Sequence, residues 1–498
     1  MSNIRVTYTG LISFAITLVT VFTGLGFMII VTRILSTQEY GTWGLINSLL
    51  IYGVVFTAIP VFWLVRETAR ELKTEKTGLL SSVIWSLVGI LVYFLAVIVL
   101  APQTNVDMTI LLFAVILVPV SYFHKIISAI NLGWKPQLSS YGILVTEVLK
   151  VPLALLFVYY MDFGVIGVII SMFISLLSSV VFQIIVARKR LQGYFKFSII
   201  KNWFRLSWVS MYPKIAYVMY NSDVIIFSII LGSVEMIAYY VAALVLANLV
   251  GLAGGISGSV SPKLLGGGKR TIPIKNFTYA IYFAVPLLSL SIIFAEAGLT
   301  ILNPVYKTAA LVVVFLSFRM LFRSLAGTLG GYLGGIETVD IKENATTKDY
   351  LKSVFITIPT FRIIQYSVYL LVFSIVIISM ESIISKIELV IMWSAISMII
   401  HLPLLIYLII KVRNAFETNF ELTSILKYII VGFCAFGFVS FLTDKFLVVS
   451  EKLIEIIPNV LLFVLFGVGL YILITYIIDS KTKNLLNGII KEIDQRRR

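Results

Sequence analysis

The chain is poor in the residues from which chemical sites are most often assembled. It has one cysteine, Cys434, so no disulfide can close within it and no cysteine cluster can hold a metal. The two histidines, His124 and His401, lie in separate apolar segments and give no basis for a metal centre. No cofactor is expected. Charge is equally scarce, at 13% of residues against about a quarter in soluble domains. Acids are rarer than bases, 24 against 39, which leaves a formal net charge of +15. A chain with so little charge has the composition of a membrane protein, not of a soluble enzyme.

Hydrocarbon is what the chain has in abundance. Of its 498 residues 59% are hydrophobic, and the mean hydropathy is +1.02. Apolar runs long enough to cross a ~30 Å membrane core recur along the whole length. About fourteen spans are expected, at 10–32, 42–64, 79–101, 109–131, 138–160, 164–187, 207–231, 236–261, 278–301, 309–333, 353–379, 388–410, 427–444 and 459–478. The fold class is therefore an all-α polytopic membrane protein. Met1 to Gly10 is too short and polar for a secretory leader, so no cleaved segment is expected.

Lys and Arg are unevenly shared among the loops. The N-terminus, alternate loops and the C-terminal tail hold most of them, including Arg66, Arg70, Lys73, Lys76, Lys125, Lys135 and the run at 188–205. The intervening loops hold only Arg33, Lys307, Lys386, Lys445 and Lys452. This bias places both termini in the cytoplasm and the chain in the cell membrane. The basic excess reflects topology and attraction to lipid surfaces, so membrane lipids are expected partners and nucleic acid is not. Outer loops such as 161–164 and 232–235 are little more than turns, and no outer domain exists to carry a catalytic site. The glycosylation sequons at Asn276 and Asn344 fall on the cytoplasmic side and are expected to be idle.

The longest basic connection, RKRLQGYFKFSIIKNWFR at 188–205, mixes cations with aromatics in the manner of a segment lying along the interface. It separates six spans from the next six. ILSTQEYGTW (34–43) and ILGSVEMIAYY (230–240) align so that Leu35 meets Leu231, Glu39 meets Glu235 and Trp43 meets Tyr239. Ser36 and Glu39 have capping-box spacing, and both glutamates read as helix caps. Two six-helix halves are a common plan for alternating-access transporters. The expected domains are 1–190 and 191–415, two pseudo-symmetric six-helix bundles, with 416–498 adding two helices and a basic tail. In that tail Leu485, Leu486, Ile489, Ile490 and Ile493 would share one face of a helix on the inner leaflet.

Five cations lie inside spans: Lys150, Lys214, Arg319, Arg323 and Arg362. Each costs about 2.5–3.5 kcal/mol near the membrane centre, so each needs a reason. Lys214 is close enough to a helix end to snorkel. Glu147, Asp223 and Glu296 are the acids within spans, and Glu147 and Lys150 are spaced to pair on one helix. Arg319 and Arg323 bracket the centre of 309–333, about 15 Å from either end, out of reach of water by stretching. Gly327, Gly331 and Gly335, with Gly330 and Gly334 beside them, form small-residue rows that mark close helix contact and turn this face inward. Internal pairing and a shared anion both remain open for the arginines. Guanidinium groups suit phosphate through bidentate hydrogen bonds.

At 24–66, GLGFMIIVTRILSTQEYGTWGLINSLLIYGVVFTAIPVFWLVR resembles the N-terminal signature of the polysaccharide flippases. These belong to the multidrug/oligosaccharidyl-lipid/polysaccharide exporter superfamily, and Arg33-Ile-Leu followed by Glu39-Tyr-Gly is the characteristic piece. NSDVIIFSIILGSVEMIAYYVAALVLANLVG at 221–251 is similar to a second family segment. There Asp223 is kept, Val224 stands where a base is usual, and Ile237-Ala238 replaces a usual glycine. The resemblance implies two bundles related by a pseudo-twofold, with a central cavity opening alternately to each side. It implies a polyprenyl- or dolichyl-linked oligosaccharide as cargo, glycan-assembly enzymes as partners, and contact of the last two helices with the lipid tail. On this reading Arg319, Arg323 and Arg362 bind the substrate phosphate, and Lys150, Lys214, Glu147, Asp223 and Glu296 are secondary charges of the cavity.

Two rival functions follow from the same features. A cation-coupled drug or metabolite antiporter of that superfamily would need a buried acid, for which Asp223, Glu147 and Glu296 are candidates. Against it, the spans hold more bases than acids and the first helix has no acid. A polytopic glycosyltransferase or polymerase would need acids on an outer loop. Asp444, Glu451 and Glu455 are the nearest to that, and they form no catalytic constellation.

Overall fold

In hydrocarbon a backbone must satisfy its own N–H and C=O groups, and the apolar runs accordingly fold as helices. The computed structural model describes residues 6–192, 194–205, 207–257, 260, 264, 272–339, 347–416, 420–485 and 487. No strand occurs among them. In chain order the helices are α1 (Val6–Ile34), α2 (Thr37–Ala69), α3 (Glu75–Thr104), α4 (Met108–Trp134), α5 (Pro136–Tyr160) and α6 (Gly164–Ala187). There follow α7 (Phe197–Arg205), α8 (Ser207–Leu231), α9 (Glu235–Gly255), α10 (Pro273–Ile293) and α11 (Ala295–Leu302). The remaining long ones are α12 (Pro304–Ile336), α13 (Val354–Met380), α14 (Lys386–Phe416), α15 (Leu422–Phe446) and α16 (Leu453–Ile478), with a short helix, Thr347–Lys352, between α12 and α13. Thirteen of the described helices are long and apolar enough to span, and within α1 the apolar stretch Val19–Ile34 is shorter. The fold is an all-α polytopic membrane protein.

Prolines set where these helices bend. Pro60 follows a 3₁₀ turn at Val55–Thr57 in α2, and Pro119 follows one at Ala114–Ile116 in α4. Each lacks an N–H for the carbonyl four residues back, so the preceding turn tightens. Pro403 coincides with a break in α14 between Ile399 and Leu402.

The chain forms two compact units, Met1–Tyr239 with Phe373–Glu381, and Tyr240–Val372 with Ser382–Arg498. In the first, Ser36 caps α2 in a full capping box: Glu39 Oε2 accepts from the Ser36 N–H at 2.9 Å and from its hydroxyl at 2.8 Å. The glutamate of the Glu-Tyr-Gly motif is thus a cap, and its glycine has a separate steric reason. A Cβ on Gly41 would collide with the carbonyl oxygen of Val234, in the turn that begins the second aligned segment. Glu235 opens α9, with its N–H donating to Ser233 Oγ at 3.3 Å and its carboxylate accepting from Thr37 Oγ1 at 3.5 Å. In α7, Ile200 and Trp203 are buried while Phe197 and Phe204 are exposed, and Trp203 Nε1 donates to Glu67 Oε1 at 3.0 Å.

In the second unit, α15 and α16 pack through Tyr428, Phe436 and Tyr471 against Tyr282 of α10. Asp479 ties their ends together, accepting from Tyr428 Oη at 2.8 Å, Thr482 N at 3.1 Å and Ser424 Oγ at 3.3 Å. Asn276 accepts from the hydroxyls of Ser257 and Tyr332, both at 2.6 Å, so its sequon side chain has an internal role. Asn344 lies outside the described residues, as does the expected tail helix beyond Leu485, apart from Asn487.

Candidate functional site: cations within the membrane helices

Arg319 and Arg323 are one turn apart on α12 but occupy different surroundings. Arg319 is 1% exposed. Its Nη1 donates to the hydroxyl of Tyr240 on α9 and, at 3.5 Å, to Ser397 Oγ on α14. Its guanidinium carbon lies 5.6 Å from the Tyr240 ring centroid. Tyr240 stacks on Trp393 with centroids 3.6 Å apart, and Trp393 Nε1 donates to Tyr369 Oη at 3.0 Å. Hydroxyls and an aromatic face thereby replace much of the solvation that Arg319 loses.

Arg323 is exposed to a cavity of about 530 Å³. Asn248, Ser257, Ser324 and Thr328 line the same space. The hydroxyls of Ser324 and Thr328 are buried with no hydrogen-bond partner among the described residues, so the wall offers donors and acceptors to a ligand. Gly327 and Gly331 also line it, and neither has a described neighbour within 4 Å of a Cβ position. The glycine row is expected to turn this face toward a neighbouring helix or a water-filled cavity, and among the described residues Gly327 and Gly331 border a cavity instead of making a close helix contact.

Arg362, on α13, interacts electrostatically with Arg323. His401 interacts in the same way with Arg319, Arg323 and Arg362. Its Nδ1 lies 2.6 Å from the Ser397 carbonyl and its Nε2 3.5 Å from Tyr366 Oη. The three arginines singled out in the sequence are therefore gathered in one region of the second unit. His401, Tyr240 and Ser397 are members that sequence reasoning missed. Tyr240 lies in the second aligned segment, which was the one available signal.

The secondary charges fall elsewhere. Lys150 Nζ sits 2.6 Å from Glu147 Oε2 on α5, so this pair satisfies itself, and Thr23 Oγ1 adds a bond to Glu147 at 3.4 Å. Asp223 is buried where α8 restarts after a break at 221–222, and its Oδ1 accepts from the Val224 N–H at 2.9 Å. Glu296 is corrected: α10 ends at Ile293, and Glu296 is exposed in the first turn of α11, outside the span. Lys125 is corrected too. The loop count of cations included it, but it lies within the expected span 109–131 and inside α4, and with Lys214 it lines a second cavity.

No family model matches the chain, and no curated protein sequence matches it. Solved structures do. The lipid II flippase MurJ in an inward closed conformation aligns with a TM-score of 0.62 at 14% identity, over 96% of this chain and 100% of that one. An inward-facing multidrug resistance MATE family transporter of the MOP superfamily aligns with a TM-score of 0.58 at 11% identity, over 82% of this chain and 98% of that one. A MATE crystal structure in the straight conformation gives 0.53 at 14% identity, over 83% and 96%. Identities this low establish the fold alone. That fold is the one found in MOP superfamily exporters, the superfamily the sequence motifs resemble, and the chain is a multi-pass membrane protein with a transporter fold.

Proposed function

We propose that the protein is an alternating-access flippase with both termini cytoplasmic. It moves a polyprenyl- or dolichyl-(pyro)phosphate-linked oligosaccharide from the inner to the outer leaflet, for assembly of surface polysaccharide or glycoprotein. One observation carries this reading: a cavity in the second unit combines an accessible arginine, Arg323, with unengaged hydroxyls and cleared glycine backbone. Arg323 would meet phosphate directly, Arg362 would add charge beside it, and Arg319 would add charge from behind while holding Tyr240 and Ser397. The hydroxyls and Asn248 suit a hydrated glycan. Holding such a head group on protein avoids most of the cost of taking it through hydrocarbon.

The MATE likeness favours the rival reading, a cation-coupled antiporter of drugs or metabolites, as strongly as the MurJ likeness favours this one. A cavity for cationic drugs calls for acids, and Arg323, the charged side chain among the described residues lining this one, is basic. The test is the Arg319→Gln/Arg323→Gln variant in a strain lacking the native gene. Lipid-linked sugar should accumulate on the inner leaflet, while the protein remains in the membrane at wild-type level. Wild-type glycan export by the variant, or cation-driven dye extrusion by the native protein with no sugar phenotype, would overturn the assignment.

A further inference from the structure

The second cavity belongs to the first unit, has a volume of about 520 Å³ and lies among α2, α4, α5 and α8. Lys125 of α4 and Lys214 of α8 both line it, and both are exposed. They repel one another electrostatically. Among the described residues neither forms an ion pair. His124 lines the same space, and its Nε2 is buried with no hydrogen-bond partner among the described residues. Two like charges and an unengaged imidazole nitrogen around one cavity call for an anion, because each ammonium costs about 2.5–3.5 kcal/mol in hydrocarbon.

The rest of the wall selects the kind of anion. Phe62, Leu132 and Ile143 present hydrocarbon to the cavity, and Leu132 and Ile143 remain exposed. Thr57, Ser128, Ser139 and Ser210 add hydroxyls here, as hydroxyls also line the cavity at Arg323, but that cavity has glycines where this one has Val61, Phe62, Val65, Leu132 and Ile143. A cationic end against an apolar wall suits an amphiphile. Lys125 is about 14 Å along α4 from Trp134, and Lys214 about 10 Å along α8 from Ser207, at ~1.5 Å per residue. Lysine stems reaching back toward those helix ends bring the ammonium groups nearer the headgroup layer. We propose that this cavity binds the phosphate headgroup of an anionic membrane lipid, with the phosphate between Lys125 and Lys214 and the chain along Phe62, Leu132 and Ile143. The proposal stands apart from the transported cargo.

The experiment is native mass spectrometry of the purified full chain titrated with dioctanoyl phosphatidic acid, dioctanoyl phosphatidylcholine or sodium phosphate. Phosphatidic acid should bind saturably, with one of its sites dependent on the lysines. Its affinity should fall by about tenfold or more in Lys125→Gln/Lys214→Gln, as expected for losing two charge-assisted contacts. Lys125→Arg/Lys214→Arg should restore binding. If the glutamine pair does not fold, Ser139→Glu keeps both lysines and puts an acid on the cavity wall, and it should weaken binding similarly. Wild-type affinity in either variant would overturn the proposal. Equal affinity for phosphatidylcholine would exclude recognition of the anion, and equal affinity for sodium phosphate would exclude a lipid occupant.

Discussion

Glu147–Lys150 on α5 and Arg319–Arg323 on α12 are both charged pairs within membrane helices, one turn apart, and they reach opposite outcomes. The first pair has opposite signs and closes on itself at 2.6 Å, so most of its electrostatic cost is offset within one helix. The second has like signs and cannot do this. Arg319 is buried among Tyr240, Ser397 and the stacked Trp393, while Arg323 opens to a cavity. A charge pair that local spacing can neutralise stays structural. A like-charged pair has to recruit other helices, and that recruitment builds a site.

The comparison breaks most visibly at Arg323. Arg323→Gln should lower lipid-linked sugar export by about ten- to hundredfold, the worth of one charge-assisted hydrogen bond at about 1.5–3 kcal/mol, with no change in thermal midpoint. Arg319→Gln should lower both export and midpoint, because it also releases Tyr240 and Ser397. Equal midpoints for the two variants would contradict the division of roles. On the other side of the comparison, Glu147→Gln should cost about 1–3 kcal/mol, below the 3–5 typical of a fully buried pair because water still reaches this one. Glu147→Gln/Lys150→Gln should recover most of that loss in the same denaturation assay.

Two further tests concern packing. Gly41→Ala should cost about 1–3 kcal/mol through its collision with the Val234 carbonyl, measured as a lowered midpoint at unchanged insertion. The smallest effect is expected at Asp479, just beyond α16. Burial pushes its carboxyl up, but bonds from Tyr428 and Thr482 and the nearby Lys427 outweigh this and hold it below the usual carboxylate range. A depressed carboxyl contributes stability that is present above its unfolded value, about pH 4, and is lost as pH falls through the folded value. Asp479→Asn should remove that acid-side loss, and an unchanged pH profile would show that the carboxylate contributes nothing there.

Much of this was legible in the chain because hydrocarbon imposes simple rules. Long apolar runs must be helices, and the spans fell where hydropathy put them. The Ser36–Glu39 cap and the Glu147–Lys150 pair are local, so spacing along one helix revealed both. What spacing could not reveal was which helix lies opposite. Gly327 and Gly331 looked like contact residues because small residues permit close approach, yet only the neighbouring helices decide whether that space is filled. Glu296 was misplaced because a hydropathy boundary can shift by about two turns without changing the local pattern, enough to move a charge out of a span. Lys125, by contrast, lay inside the expected span 109–131 and was wrongly counted with the loop cations.

The sequence by itself determined that the chain is a bundle of membrane helices with two arginines, Arg319 and Arg323, at unfavourable depth. Burial cost depends on residue type and depth, both readable along a line. Only the tertiary structure decided that Arg319 is sealed among hydroxyls and an aromatic stack, that Arg323 is open, and that Lys125 meets Lys214 across a second cavity. Those outcomes depend on side chains brought together from distant helices, which periodicity within one helix does not encode.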